Sequence, residues 1–399
     1  MNRNDFPLIT NNNIIYFDNG ATTLKPRCVI NEITKYYESY STNAHRGDYK
    51  LSHITDKLYE ETRNKVKDFI NAKNSKEIIF TKGTTESLNL VAFGYFLNQL
   101  SPKDEIILTK SEHASNLLPW YILKKKLNIV IKYIELDSNY HVSIKQIEKI
   151  ITDKTKVISL AHITNVIGDI RPIKEIVKLA HQHNIKVVVD AAQSIAHEII
   201  DVTDLDVDFL AFSAHKMYGP TGVGILYAKE ELLQNTQPLN YGGGMNSNFF
   251  EDGIINYKDI PTIFEAGTPD IASILGFGAT IDFINKIGMI NIKKHEQDLK
   301  NYLLKKLKEL DFITIYNEEA DAPIIAFNIN NVFSQDTAIY LDKYNICVRA
   351  GNHCAKILKS LISINNTCRI SLALYNTKDE IDLLINVLKN YKNIYQEIL

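Results

Sequence analysis

The stretch Lys186-Val187-Val188-Val189-Asp190-Ala191-Ala192-Gln193 and its counterpart Asp208-Phe209-Leu210-Ala211-Phe212-Ser213-Ala214-His215-Lys216 decide the fold class. Each is a short, unbroken apolar run that stops at polar, chemically useful residues. Unbroken runs, rather than alternating ones, are what strands buried on both faces require. Working outward, similar runs recur at Glu77-Ile78-Ile79-Phe80, Glu105-Ile106-Ile107-Leu108, Val157-Ile158-Ser159-Leu160 and Val223-Gly224-Ile225-Leu226-Tyr227. Helical patterns lie between them. In one, Pro172 suits the first helical position, Ile173, Ile176, Val177 and Ala180 form a single apolar stripe, and Asn184 suits the stop. This alternation predicts an α/β fold with a mostly parallel central sheet flanked by helices. Ligands of such sheets bind outside the carboxyl ends of the strands.

Beyond about residue 285 the pattern changes. A long helix is expected over residues 291–310, then short strands over 312–316, 324–328, 346–349 and 369–374, and a terminal helix from Lys378. The division predicted is a large domain over residues 16–285 and a smaller α+β domain over 286–399, with residues 1–15 assigned to the second. A chain of 399 residues suits two domains, and its hydrophobic content of 45% suits a large core. The net charge of −2 lacks the broad basic field of a nucleic-acid binder. No uninterrupted apolar run reaches membrane-spanning length, and the first residues carry no signal-peptide pattern. Four cysteines without a C-x-x-C pair give little support for a zinc site and suit a reducing compartment. The expectation is a cytoplasmic protein, or a mature organellar one, without membrane or nucleic-acid partners.

The chemistry gathers at the strand ends. Lys216 at a sheet mouth is a candidate imine-forming amine, because desolvation lowers an ammonium pKa. Asp190, one βα unit earlier, is a candidate partner for a pyridinium nitrogen; alternatively it caps a helix and Lys216 is a solvated charge. Gly83-Thr84-Thr85-Glu86 follows a strand and opens a helix, which makes either a phosphate cradle or an ordinary cap. No P-loop or dinucleotide fingerprint occurs. His113, after the run at 105–108, suits ring stacking or proton transfer, and equally a loop histidine. Asn165 suits a hydrogen bond to a ring oxygen, or a turn. Cys354 lies in Arg349-Ala350-Gly351-Asn352-His353-Cys354-Ala355-Lys356, where three basic side chains stand ready to favour a thiolate. Cys28, Cys347 and Cys368 are read as small apolar residues. Arg369 is a candidate carboxylate clamp, or one half of a structural salt bridge.

Taken together these segments resemble the fold-type-I, class V pyridoxal-phosphate enzymes, and within them the SufS-like (group II) cysteine desulfurases. The likeness runs from Tyr16-Phe17-Asp18-Asn19-Gly20-Ala21-Thr22-Thr23 to Ser371-Leu372-Ala373-Leu374-Tyr375-Asn376-Thr377. It includes Ala44-His45-Arg46-Gly47, Gly83-Thr84-Thr85-Glu86, Ser213-Ala214-His215-Lys216-Met217-Tyr218-Gly219-Pro220-Thr221-Gly222 and Phe264-Glu265-Ala266-Gly267-Thr268-Pro269. The segment from Arg349 to Cys354 separates the SufS-like group from relatives with a longer cysteine loop.

The resemblance implies an aspartate aminotransferase-like fold and covalent attachment of pyridoxal 5′-phosphate to Lys216. It implies that Asp190 pairs with the ring nitrogen, that Gln193 and Asn165 face the ring oxygen, and that His113 stacks on the ring. Thr84 lies in the cofactor site, Thr85, Ser213 and His215 hold the phosphate, and Thr268 reaches in from the second subunit of a homodimer. Arg369 and Arg349, with Asn165, bind substrate. The implied catalytic groups are Lys216, Cys354 and His113. The implied reaction converts L-cysteine to L-alanine, leaving a persulfide on Cys354 that a SufE- or SufU-type acceptor carries toward iron–sulfur cluster assembly. Asn352 stands where a second His is common, and Asn19-Gly20 where Ser-Ala is common. A selenocysteine lyase is the nearest alternative, and a cofactor-free assembly scaffold a more distant one.

Overall fold

The computed structural model describes residues 3–44, 47–316, 318–362 and 365–398. A seven-stranded sheet forms from β1 (Ile78–Thr81), β2 (Glu105–Leu108), β3 (Val130–Tyr133), β4 (Thr155–Ala161), β5 (Lys186–Asp190), β6 (Phe209–Ser213) and β7 (Gly224–Ala228). Their spatial order is β1-β7-β6-β5-β4-β2-β3. The four neighbouring pairs from β6 to β3 run parallel, and β7 is antiparallel to both β6 and β1. The mostly parallel α/β sheet is therefore as the unbroken apolar runs require. Successive side chains point to opposite faces. Val187, Val189, Ile158 and Leu210 pack on one face against α5 (Ile173–Gln182) and α6 (Ile271–Ile287). Val188, Val157, Phe209 and Ala211 pack on the other face, where Trp120 and Leu123 of α4 (Leu118–Leu127) cover them. Earlier in the chain lie a short helix (Pro7–Asn12) and α1 (Arg27–Ser39), α2 (Lys50–Phe69) and α3 (Thr84–Asn89).

The second sheet is antiparallel, with β8 (Ile313–Tyr316), β9 (Ile324–Ile329), β11 (Thr367–Ser371) and β10 (Arg349–Gly351) side by side in that order. Leu299, Leu303 and Leu307 of α7 (Met289–Lys308) and Leu384 and Ile385 of α8 (Lys378–Lys389) form its core with Phe327, Cys368 and Ile370. The N-terminal segment touches both cores. Phe6 packs edge-on against Tyr375 and Phe283, within the larger core. Ile15–Tyr16 pairs in parallel with Ile346–Cys347.

Several boundaries differ from the sequence reading. Pro172 is the residue before α5, not its first helical residue; Asn184 does take the left-handed conformation after the helix, at φ 56°. The strand expected over 346–349 is two pieces, because Ile346–Cys347 serves Ile15–Tyr16 while Arg349–Gly351 serves β11. The strand expected over 369–374 lies at Thr367–Ser371, since Leu372, Ala373 and Leu374 leave the ladder for the core. The edge strand β3 was not expected. Its Val130 is exposed and Lys132 interrupts its apolar character, so it lacks the signature of a buried strand. Cys28, expected buried, is exposed on the first turn of α1.

Candidate active site

The sheet brings the expected residues to one end. Asp190, the last residue of β5, pairs with Ala161 of β4 and Ala211 of β6. Lys216 ends the single turn Ala214–Lys216 that follows β6. A cavity of about 230 Å³ lies there, and Lys216, Asp190, Asn165, Gln193, His113, Thr84, Thr85, Ser213, His215, Arg349, Cys354 and Arg369 all line it. It is not the largest hollow. A cleft of about 820 Å³ lies between α1 and α6, beside Cys28 and Phe283, and contains none of these residues.

Desolvation lowers the Lys216 pKa to about 8, partly opposed by the Asp190 carboxylate and reinforced by the charges of Arg369 and Arg349. Burial pushes Asp190 up to about 6, against the pull of the Ala192 amide and of Lys216. At neutral pH this leaves an anionic carboxylate beside an amine that sheds its proton readily. The turn that carries Lys216 is pinned from the N-terminal segment. The His215 carbonyl accepts from Thr23 N at 3.0 Å, Thr22 Oγ1 at 3.0 Å and Lys25 Nζ at 3.1 Å. Tyr218, two residues on, is left-handed at φ 68° and gives its N–H to Thr23 Oγ1 at 2.6 Å. A left-handed tyrosine is costly, so packing must over-determine it.

At one side of the cavity the β6 end meets the start of α3. Ser213 Oγ lies 2.7 Å from both Thr84 N and Thr84 Oγ1, and Thr85 Oγ1 lies 2.8 Å from Ser115 Oγ. Gly224 permits this approach, since a Cβ there would sit 2.3 Å from the backbone of Gly83. His113 accepts from Ser115 N at 3.1 Å through Nδ1, which leaves the ring proton on Nε2. Burial, helped by the cations Lys216, Arg369 and Arg349, lowers His113 to about 4, so the ring is neutral. His215 is lowered to about 4 by burial and by Lys216 and Lys25.

Cys354 is exposed at the cavity mouth. It and His353 are consecutive left-handed residues, at φ 58° and 50°. Three bonds hold this turn: Ala114 N to Cys354 O at 2.9 Å, Asn165 Nδ2 to His353 O at 2.7 Å, and Cys354 N to Asn352 Oδ1 at 3.1 Å. Asn352, a departure from the expected His, thus serves as the turn's cap. His353 sits beneath, with Nε2 3.0 Å from the Thr367 carbonyl, and burial lowers its pKa to about 3. Arg369 is buried, with Nη1 on the Asn165 carbonyl at 2.8 Å and Nη2 on Asp18 Oδ1 at 3.0 Å.

Three atoms of residues lining this cavity are buried without a hydrogen-bond partner, Asn165 Oδ1, Arg369 Nε and His353 Nδ1. Buried polar groups are rarely left so. An unused acceptor and an unused cationic donor, beside a low-pKa amine and a buried carboxylate, fit a pyridoxal phosphate and a carboxylate-bearing substrate. Gln193 Nε2 is engaged by the Gly20 carbonyl at 2.9 Å.

Thr268 is elsewhere. It lines a separate hollow of about 300 Å³ with Tyr59 and Glu265. The partly buried Glu265 anchors its loop, receiving Arg63 Nη1 at 2.8 Å and Phe80 N at 2.8 Å. His45 and Arg46 of the quoted motif fall outside the described residues.

Sequence reasoning missed the support beneath His113. Glu112 is wholly buried and accepts from Thr109 Oγ1 at 2.7 Å, Asn116 Nδ2 at 2.8 Å and Ala161 N at 2.8 Å, and it pairs with the equally buried Arg171. This ties the His113 turn to the end of β4. Removing one partner of a buried pair costs about 3–5 kcal/mol. Glu112→Ala is therefore expected to lower unfolding stability by that amount in urea, and pairing it with Arg171→Met to restore part of the loss. Asp18 was also missed, although it lies inside a quoted motif, because its partner Arg369 is 351 residues away.

The aminotransferase class-V family model matches residues 15–384. A protein of Halalkalibacterium halodurans named "Probable cysteine desulfurase" is 42% identical over 96% of this chain and 95% of its own. A "Cysteine desulfurase" of Wigglesworthia glossinidia brevipalpis is 39% identical over 97% of this chain and 94% of its own. The solved apo structure of a cysteine desulfurase from Thermococcus onnurineus superposes with a TM-score of 0.93 at 39% identity, covering 97% of this chain and 96% of that one.

Proposed function

The chain belongs to the aminotransferase class-V family and is a cysteine desulfurase that uses pyridoxal 5′-phosphate; from that premise we propose how its own residues carry the reaction. The observation that carries the reading is one cavity lined by Lys216, Asp190, Arg369 and Cys354. When bound, the cofactor supplies an electron sink for the bonds at the substrate α-carbon.

Asp190 holds a proton on the ring nitrogen, and burial keeps water from competing for it. Ser213, Thr84, Thr85 and His215 hold the phosphate. Neutral His113, Gln193 and Asn165 line the same cavity and would hold the ring, His113 by stacking and the two amides by hydrogen bonding. Arg369, with Arg349, binds the carboxylate of L-cysteine. The Lys216 amine takes the α-proton and returns a proton to carbon. The Cys354 sulfur bonds to the substrate sulfur as the substrate's C–S bond breaks. The electron pair of that bond stays on carbon, which is protonated. L-cysteine and the thiol thus become L-alanine and a persulfide on Cys354, with all atoms accounted for.

Three finer statements belong to the same proposal. The persulfide sulfur passes to a SufE- or SufU-type acceptor in the cytoplasm for iron–sulfur cluster assembly; the exposure of Cys354 supports hand-over to a protein. The working form is a homodimer in which Thr268, placed outside its own chain's cavity, completes the phosphate site of the second subunit. Residues 16–285 and 286–399 act as large and small domains, with the cavity at their junction and residues before 16 packed against both rather than against the small domain alone. Mass spectrometry after incubation with L-cysteine tests the central claim. The expected result is one added sulfur on the peptide containing Cys354, with alanine released. Alanine release with no sulfur on that peptide would sink it.

A further inference from the structure

Behind the Lys216 turn, outside the cavity, lies an amine that the reaction does not use. Lys25 sits between the buried Leu24 and Pro26, where the N-terminal segment runs into α1. Burial lowers its pKa to about 8, and no carboxylate pairs with it among the described residues. A cation taken out of water costs free energy unless hydrogen bonds offset the loss. Three oxygens face this one: Thr22 Oγ1 at 3.0 Å, the His215 carbonyl at 3.1 Å and the Thr23 carbonyl. An ammonium has three protons to give and a neutral amine two, so the set matches the charged form. The His215 carbonyl belongs to the peptide unit that joins His215 to Lys216. It also accepts from Thr23 N at 3.0 Å, Thr22 Oγ1 at 3.0 Å and Thr23 Oγ1 at 3.2 Å. The neighbouring Ala214 carbonyl takes Met217 N at 2.9 Å and Gly219 N at 3.0 Å, and a Cβ on Gly219 would lie 2.9 Å from that oxygen. The turn therefore has little slack. A peptide unit is planar and stiff, so holding the His215 oxygen holds the Lys216 backbone.

We propose that Lys25 is a positioning residue, whose ammonium holds the His215–Lys216 peptide so that the Lys216 side chain meets the cofactor aldehyde in a reactive pose. The inference rests on the desulfurase reading and deepens it. Hydrogen bonds from a charged donor are about twice as strong as neutral ones. A misplacement of about 1 Å can slow a reaction by about 10²-fold. Lys25 does not line the cavity, so its loss should alter how Lys216 is presented and leave the remaining walls in place. The segment keeps its own anchor, since Leu24 gives its N–H to the Tyr375 hydroxyl at 3.1 Å.

The test compares two ligands on the cofactor-free protein at neutral pH. Pyridoxal 5′-phosphate is captured when the Lys216 nitrogen bonds the aldehyde carbon and one water leaves, and stopped-flow absorbance gives the rate. Pyridoxamine 5′-phosphate has the same ring and phosphate but no aldehyde, so its affinity, from calorimetry, reports the rest of the cavity. Lys25→Met is expected to slow capture by about tenfold or more and to change pyridoxamine 5′-phosphate affinity by less than about threefold. Lys25→Arg, which keeps the charge, should recover most of the rate. Lys25→Gln repeats the test if the methionine variant does not fold. Capture at the native rate without the charge overturns the proposal. So does an equal loss of rate and affinity, which a general loosening of the site would give, and so does an arginine variant as slow as the methionine one. Borohydride reduction of the native protein separates the two readings. Cofactor fixed on the Lys216 peptide together with an unaffected Lys25→Met fells only the role of Lys25; no cofactor fixed there fells the desulfurase reading as well.

Discussion

Replacing Lys216 with alanine is expected to lower alanine release from L-cysteine by about 10³-fold or more, in line with the upper range for removal of an acid–base group. The proposed function gives the residue two tasks, covalent attachment of the cofactor and movement of the α-proton, and no other amine lines the cavity among the described residues. Borohydride reduction provides a readout independent of turnover. In the native protein it should fix the cofactor to the peptide containing Lys216, and in the variant to none. Undiminished turnover by the variant would refute the assignment. The lowered pKa adds a second expectation. At pH 7 an amine of pKa about 8 is deprotonated in roughly one molecule in ten, against about one in 3,000 at the ordinary value of 10.5. Only the neutral amine attacks an aldehyde, so cofactor capture by the cofactor-free protein should accelerate as pH rises and level off above 8. Stopped-flow absorbance would show it; a rise continuing to pH 10 would mean that burial does not act as described.

Cys354→Ser is expected to retain the bound cofactor and its absorbance, yet to lose the added sulfur and to release alanine from L-cysteine at least about 10²-fold more slowly. A hydroxyl does not accept sulfur as a thiolate does, and the other cysteines are ill placed to substitute. Cys368 is buried, gives its Sγ–H to the Ser334 carbonyl at 3.1 Å, and is pushed up to about 12. Cys28 lies in the distant cleft beside α1. Cys347 pairs along Tyr16 and is raised by burial and by Asp342 and Asp18. Because Cys354 is exposed and its turn is held by backbone bonds, the serine variant should fold normally. Full turnover by it would place the sulfur chemistry elsewhere.

The legible part of the site was the part held by local chain. Asp190 and Lys216 each end an apolar run, and Cys354 stands in a short basic segment, so they were readable as candidates from neighbours within a few residues, while their roles came from the family resemblance. The Thr84 and Ser213 contact was half legible: both strand ends were evident, but only the fold brings Ser213 Oγ onto the Thr84 amide. Glu112 carried no reading of its own in the sequence, and only packing against Arg171 made it a buried anchor.

Amino-acid order alone determined the α/β class and most strands of the large sheet, and it singled out the candidate reactive side chains, because burial on both faces demands continuous apolar runs and ligands of such sheets bind at strand ends. Tertiary structure alone decided that one carboxylate from the N-terminal segment lies between two arginines on neighbouring strands, and that Thr268 lines a different hollow from the one lined by Lys216. Such contacts join positions hundreds of residues apart. They leave no period or spacing in the chain, since what sets them is the geometry of two packed sheets.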